Sequence, residues 1–126
     1  MAKKILFVED DPTLQETLGE VLKGEGFEVL QALDGEEGLK LASEKNPDLI
    51  LLDLNLPKIS GFEVLGLLKG AEGTKNIPVI VLTNLESPED IQKALYAGAT
   101  TYLLKASYDL DDVLAKVKKA LQGSEM

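Results

Sequence analysis

The sequence predicts one α/β domain with a five-stranded parallel sheet, each strand followed by a helix. Two observations predict it. Short apolar runs recur at 5–8, 29–32, 49–52, 79–82 and 101–104. Between them the apolar residues fall at helical spacing, as in Leu14, Leu18, Val21 and Leu22. Apolar strands alternating with amphipathic helices indicate a sheet buried on both faces, because right-handed crossovers place helices above and below it. A chain of 126 residues holds one such domain and little else.

The first strand, Ile5 to Val8, follows Met1-Ala2-Lys3-Lys4 and runs into Glu9-Asp10-Asp11. Four apolar residues are too few for a signal-peptide core, and no stretch is long enough to span a membrane, so the expected location is the cytoplasm. Asp11-Pro12 opens the first helix with a capping acid and a proline at the first helical position. The second strand is Val29 to Ala32, and Asp34-Gly35-Glu36-Glu37 gives the second helix an acid-rich first turn. The third strand, Leu49 to Leu52, ends at Asp53, and the fourth, Val79 to Leu82, ends at Thr83. Ser87-Pro88-Glu89-Asp90 starts the fourth helix, which is expected to present Ile91, Ala94, Leu95 and Gly98 on one face. The fifth strand, Thr101 to Leu104, delivers Lys105. Leu110, Val113, Leu114, Val117 and Leu121 mark the last helix, with residues 122–126 expected to fray.

Composition narrows the function. Hydrophobic residues make up 44% and charged residues 28%, an ordinary globular balance. With 22 acidic against 13 basic side chains, a net charge of −9 and no arginine, the chain lacks the basic face that a phosphate backbone requires. Direct nucleic-acid binding is therefore not expected. The absence of cysteine and histidine excludes disulfides, Cys/His zinc sites and His-dependent triads.

In an open parallel sheet, ligands bind beyond the carboxyl ends of the strands. Four of the five strands deliver a polar group there: Glu9-Asp10-Asp11, Asp53, Thr83 and Lys105. Each has an ordinary reading alone, such as a helix cap or a solvated lysine. Together, crowded carboxylates are unfavourable without a cation, which points to a divalent metal with hard oxygen ligands. Magnesium suits Asp10 and Asp53. A carboxylate can also attack phosphorus to give an aspartyl phosphate, with Asp53 the best nucleophile and Thr83 and Lys105 placed to hold the phosphoryl oxygens.

These residues carry a resemblance. Ile5-Leu6-Phe7-Val8-Glu9-Asp10-Asp11, the run Asp48 to Pro57 around Asp53, Gly61, Pro78 to Thr83, and Gly98-Ala99 leading to Tyr102-Leu103-Leu104-Lys105 together resemble the (CheY-like) receiver domains of two-component response regulators. The resemblance implies a flavodoxin-like sheet of order 2-1-3-4-5 and one receiver domain over residues 1–126 with no output domain. It implies Asp53 as phosphoacceptor, and Mg2+, for which Mn2+ can substitute, held by Asp10, Asp53, the Asn55 backbone carbonyl and, through water, Glu9. Thr83, Lys105 and Tyr102 take the phosphoryl-binding and switch roles. The phosphoryl donor is expected to be a sensor histidine kinase or a histidine phosphotransfer protein. The only enzymatic activity expected is self-catalysed phosphoryl transfer and autodephosphorylation. The signal is expected at the face of the fourth helix, fifth strand and fifth helix, including Ile91, Leu95, Tyr102 and Lys116. There an output protein docks, with the chain a monomer or a phosphorylation-dependent dimer.

The sequence departs from the family pattern at three places. Ala106 follows Lys105 where proline, often cis, is usual; the stretch 106–109 is one residue longer than common; and Asn84 and Leu85 replace smaller or polar neighbours, which predicts control of access to the phosphate. Rival readings fit less well. A haloacid-dehalogenase-like phosphatase carries its nucleophile as Asp-x-Asp after the first strand, whereas here the acidic trio comes first and Asn55 stands second after Asp53. A flavodoxin-like carrier needs a hydroxyl-rich phosphate loop where Glu9-Asp10-Asp11 would repel FMN. A receiver fold working without phosphorylation usually lacks the acceptor, an acid or the lysine, and none is missing here.

Overall fold

The computed structural model describes residues 2–123. Five strands and five helices alternate: β1 (Lys4–Val8), α1 (Pro12–Gly24), β2 (Glu28–Ala32), α2 (Gly35–Lys45), β3 (Leu49–Leu52), α3 (Gly61–Gly70), β4 (Val79–Thr83), α4 (Pro88–Tyr96), β5 (Thr101–Leu104) and α5 (Leu110–Gly123). The sheet is parallel throughout with order β2-β1-β3-β4-β5, as expected.

Period-two alternation divides the core. Leu6, Val8, Ile50, Leu52, Val79 and Val81 face Val64, Leu65 and Leu68 of α3, Ala42 of α2 and Ala94 of α4. Ile5, Phe7, Leu49, Leu51, Ile80, Leu82 and Leu103 face Leu18 and Leu22 of α1 and Val113, Val117 and Leu121 of α5. Every central strand side chain is thus buried on one side or the other, which is why these runs read as continuously apolar.

The helix starts follow their capping residues. Asp11 accepts from Thr13 N–H at 3.0 Å with Pro12 at the first helical position, Asp34 from Glu37 N–H at 2.9 Å, and Ser87 from Asp90 N–H at 3.1 Å. Asp109 and Asp112 exchange reciprocal side-chain-to-backbone bonds at the start of α5, 2.9 and 3.3 Å long.

Helix α4 departs from expectation. It ends at Tyr96, so Gly98 lies beyond it with φ at 111°, a conformation glycine adopts freely. Ala94 alone of the expected face is buried; Leu95 and Tyr96 are 47% and 91% exposed. The one correction is Gly98, which follows the helix instead of belonging to it. At the C-terminus, Gln122 and Gly123 belong to α5 rather than to a frayed tail, and 124–126 lie outside the described residues.

Candidate functional site

Register brings the polar strand ends together. Asp53 N–H donates to Val8 O at 3.0 Å, setting the exit of β3 beside that of β1, and Lys105 N–H donates to Thr83 O at 2.9 Å, doing the same for β5 and β4. Gly61 closes the floor: a Cβ there would collide with Asp53 O and Leu54 Cα, so the start of α3 reaches the end of β3 only because the residue is glycine.

Glu9, Asp53 and Thr83 are 1%, 4% and 0% exposed, whereas Asp10 is open to solvent. One carboxylate oxygen from each of Glu9, Asp10 and Asp53 lies within 4.8 Å of the others. Lys105 Nζ sits 2.6 Å from Glu9 Oε1 and donates to Asp53 Oδ2 at 3.0 Å. Asp53 Oδ1 accepts from Asn55 N–H at 3.2 Å, and Glu9 Oε2 from Asp11 N–H at 3.2 Å. Glu9 Oε1 is buried, and its close partner is the Lys105 ammonium.

The electrostatics follow from one ammonium shared between two buried carboxylates. Burial raises Glu9 to about 7, and the Asp53 charge adds to the rise against the opposing contact with Lys105. For Lys105, burial opposes the charged form, yet the bonds to Glu9 and Asp53 outweigh it and lift the ammonium above the ordinary lysine value. The causes differ, burial raising Glu9 and the two carboxylates raising Lys105. A hard divalent cation fits this set, since the donors are carboxylate oxygens and three of them converge.

The Thr83 hydroxyl accepts a long 3.4 Å bond from Leu85 N–H and makes none to Asp53 among the described residues. Tyr102 lies half-buried, its hydroxyl donating to Leu85 O at 2.7 Å. Its phenol is pushed above the ordinary value by burial first and then by the charges of Asp90 and Asp53. Leu85, expected to limit access, packs partly against the α2–α3–α4 side of the core, and its backbone holds both Thr83 and Tyr102. Asn84 is exposed. The Lys105–Ala106 peptide is trans, no cis bond occurring among the described residues, and the lysine reaches both carboxylates without one.

Sequence reasoning missed Gln15. It is 3% exposed, and its Nε2 lies 2.9, 3.1 and 3.0 Å from Phe7 O, Glu9 O and Ala32 O, pinning the exit of β1. The signal was there: Gln15, Leu18, Gly19 and Leu22 share one helical stripe, and a glutamine on an apolar stripe needs buried partners.

Residues 5–118 match the response regulator receiver domain family. The chain belongs to that family. This receiver domain is 39% identical over 122 residues to the DNA-binding dual master transcriptional regulator RpaA of a Synechocystis strain, covering 97% of the chain and 50% of that protein. It is 37% identical over 125 residues to the DNA-binding response regulator MtrA of Mycolicibacterium smegmatis, covering 99% of the chain and 53% of MtrA. Among solved structures it superposes with TM-score 0.93 on a CheY-like response regulator receiver domain protein from Methanospirillum hungatei, at 31% identity with 99% and 98% of the two chains covered. The chain thus spans about half the length of these curated relatives. Receiver domains are signalling modules of two-component systems rather than enzymes in the ordinary sense, and the family generally binds Mg2+ at the acidic pocket that Glu9, Asp10 and Asp53 form here.

One expectation is overturned. Charge alone had set nucleic acid aside as a partner, yet RpaA and MtrA are DNA-binding regulators. The net charge of −9 describes 126 residues that match half of such proteins, and it carries no information about the remainder.

Proposed function

We propose that this receiver domain is a phosphorylation switch in which Asp53 accepts a phosphoryl group from a histidine kinase or a histidine phosphotransfer protein. The observation that carries this is the Lys105 ammonium set between Glu9 and Asp53 in a pocket of three converging carboxylates. An Asp53 oxygen forms the new O–P bond as the P–N bond of the donor imidazole breaks, and Lys105 moves from balancing carboxylates to pairing with the phosphoryl oxygens. Asp10, Asp53, the Asn55 backbone carbonyl and, through water, Glu9 would hold Mg2+ or Mn2+. When bound, the ion supplies charge neutralisation between the carboxylates and the incoming phosphoryl group.

The added charge of about −1.5 to −2 draws the Thr83 hydroxyl out of its long bond to Leu85 N–H. That motion disturbs the segment whose Leu85 carbonyl holds Tyr102, so the aromatic ring couples the pocket to the face of α4, β5 and α5, including Ile91, Leu95 and Lys116. The likeness to RpaA and MtrA supports a transcriptional output for this signal, exerted in the cytoplasm.

The test is intact-mass spectrometry after incubation with acetyl phosphate and Mg2+. One base-labile phosphoryl adduct, absent with EDTA and in Asp53→Ala, supports the reading. An unmodified chain with both acetyl phosphate and a phosphorylated kinase overturns it in favour of a phosphate-independent module.

A further inference from the structure

At the opposite edge of the sheet, about 15 Å from the acidic pocket by the length of β4, lies a cleft of about 450 Å3. Its polar lining comes from Lys69 at the end of α3, Asn76 in the α3–β4 connection, Thr100 and Thr101 at the start of β5, and Lys116 and Lys119 on α5. No carboxylate lines it, although acids outnumber bases 22 to 13 in the chain. Lys116 and Lys119 form no ion pair among the described residues. Lys69 Nζ is half-buried and donates to Ile77 O at 2.7 Å and Lys75 O at 3.2 Å, partners that satisfy its hydrogens without balancing its charge.

We propose that this cleft binds a small phosphoanhydride, the chemistry shared by inorganic pyrophosphate and the tail of a nucleoside diphosphate. Three lysines line the cleft with no carboxylate among them, and two threonines and an asparagine add neutral polar groups, a set suited to several oxyanion oxygens rather than to one halide. The volume falls within the roughly 300–1,000 Å3 of small-molecule sites. Burial holds the Lys69 ammonium below the ordinary lysine value, and an anion in the cleft would reverse that penalty. The cleft shares no residue with the acidic pocket, although Lys116 also belongs to the proposed output face.

Amide NMR titrations of the full chain in EDTA test this, because without a divalent ion the acidic pocket repels the probe. Pyrophosphate and ADP are titrated separately at matched ionic strength, with sulfate as the reference anion. Saturable shifts centred on Lys69, Asn76, Thr100, Thr101, Lys116 and Lys119 are expected with at least one phosphoanhydride. The Lys116→Ala/Lys119→Ala double variant, altered on α5 alone, is expected to weaken binding about tenfold or more. Tighter binding of ADP identifies the nucleotide as the source, and tighter binding of pyrophosphate the free anion. An equal response to sulfate, a response that survives the double variant, or no saturable shift overturns the proposal.

Discussion

Glu9 provides a quantitative test of the site's electrostatics in the metal-free chain. Its folded pKa is raised from 4.5 to about 7, chiefly by burial. Between those values the unfolded chain has released the Glu9 proton while the folded chain keeps it, so the unfolded state binds fewer protons and stability falls as pH rises. The contribution is fully present below about pH 4.5 and is lost as pH rises through about 7. A shift of that size corresponds to about 3 kcal/mol as an upper value. Urea unfolding in EDTA from pH 4.5 to 8, comparing wild type with Glu9→Gln, singles out this site because acids remote from it cancel in the difference. Wild type should lose stability relative to the variant by up to about 3 kcal/mol across the window. Lys105, raised above 10.5, titrates outside it. A difference that stays flat, or that grows in favour of wild type with rising pH as for a well-paired carboxylate, would refute the reasoning.

Three further outcomes are expected. Gln15→Leu removes the amide bonded to three strand-exit carbonyls and should lower stability by about 1–3 kcal/mol in urea titrations, with weaker Mg2+ binding by calorimetry. Tyr102→Phe loses the 2.7 Å bond to Leu85 O, so thermal unfolding should shift by the equivalent of about 1 kcal/mol while acetyl phosphate still modifies Asp53. Asn84→Ala, at an exposed position beside Thr83, should change the decay rate of the aspartyl phosphate; an unchanged rate in a phosphate-release assay counts against a role in access.

Much of this was legible because the strands announce themselves by apolar runs and, in four of the five, by the polar residue that follows. Leu49–Leu52 and Thr101–Leu104 match their expected bounds, and the other three strands are longer by one residue. Parallel strands with a fixed register must deliver Glu9, Asp53, Thr83 and Lys105 to one edge, so the pocket followed from topology. What the sequence hid depends on geometry across elements. The shared position of Lys105 between two carboxylates, the grip of Leu85 on Tyr102 and the clamp of Gln15 are contacts between segments distant along the chain. Helix α4 stops short of the expected Gly98, whose positive φ lies beyond the helix end, whereas Leu95 stands half in water on the face expected to carry the signal. The charge argument against nucleic acid failed for a different reason, being sound for this acidic span and silent on what such domains are joined to.

The most direct measurement is a pair of amide NMR spectra, before and after acetyl phosphate with Mg2+, recorded on wild type and Asp53→Ala. Phosphorylation of wild type should shift Thr83, Leu85 and Tyr102 together with residues of α4 and α5, and the variant should show none of these changes. A modified Asp53 with shifts confined to the pocket, or shifts at α4 and α5 that persist in Asp53→Ala, would contradict the account.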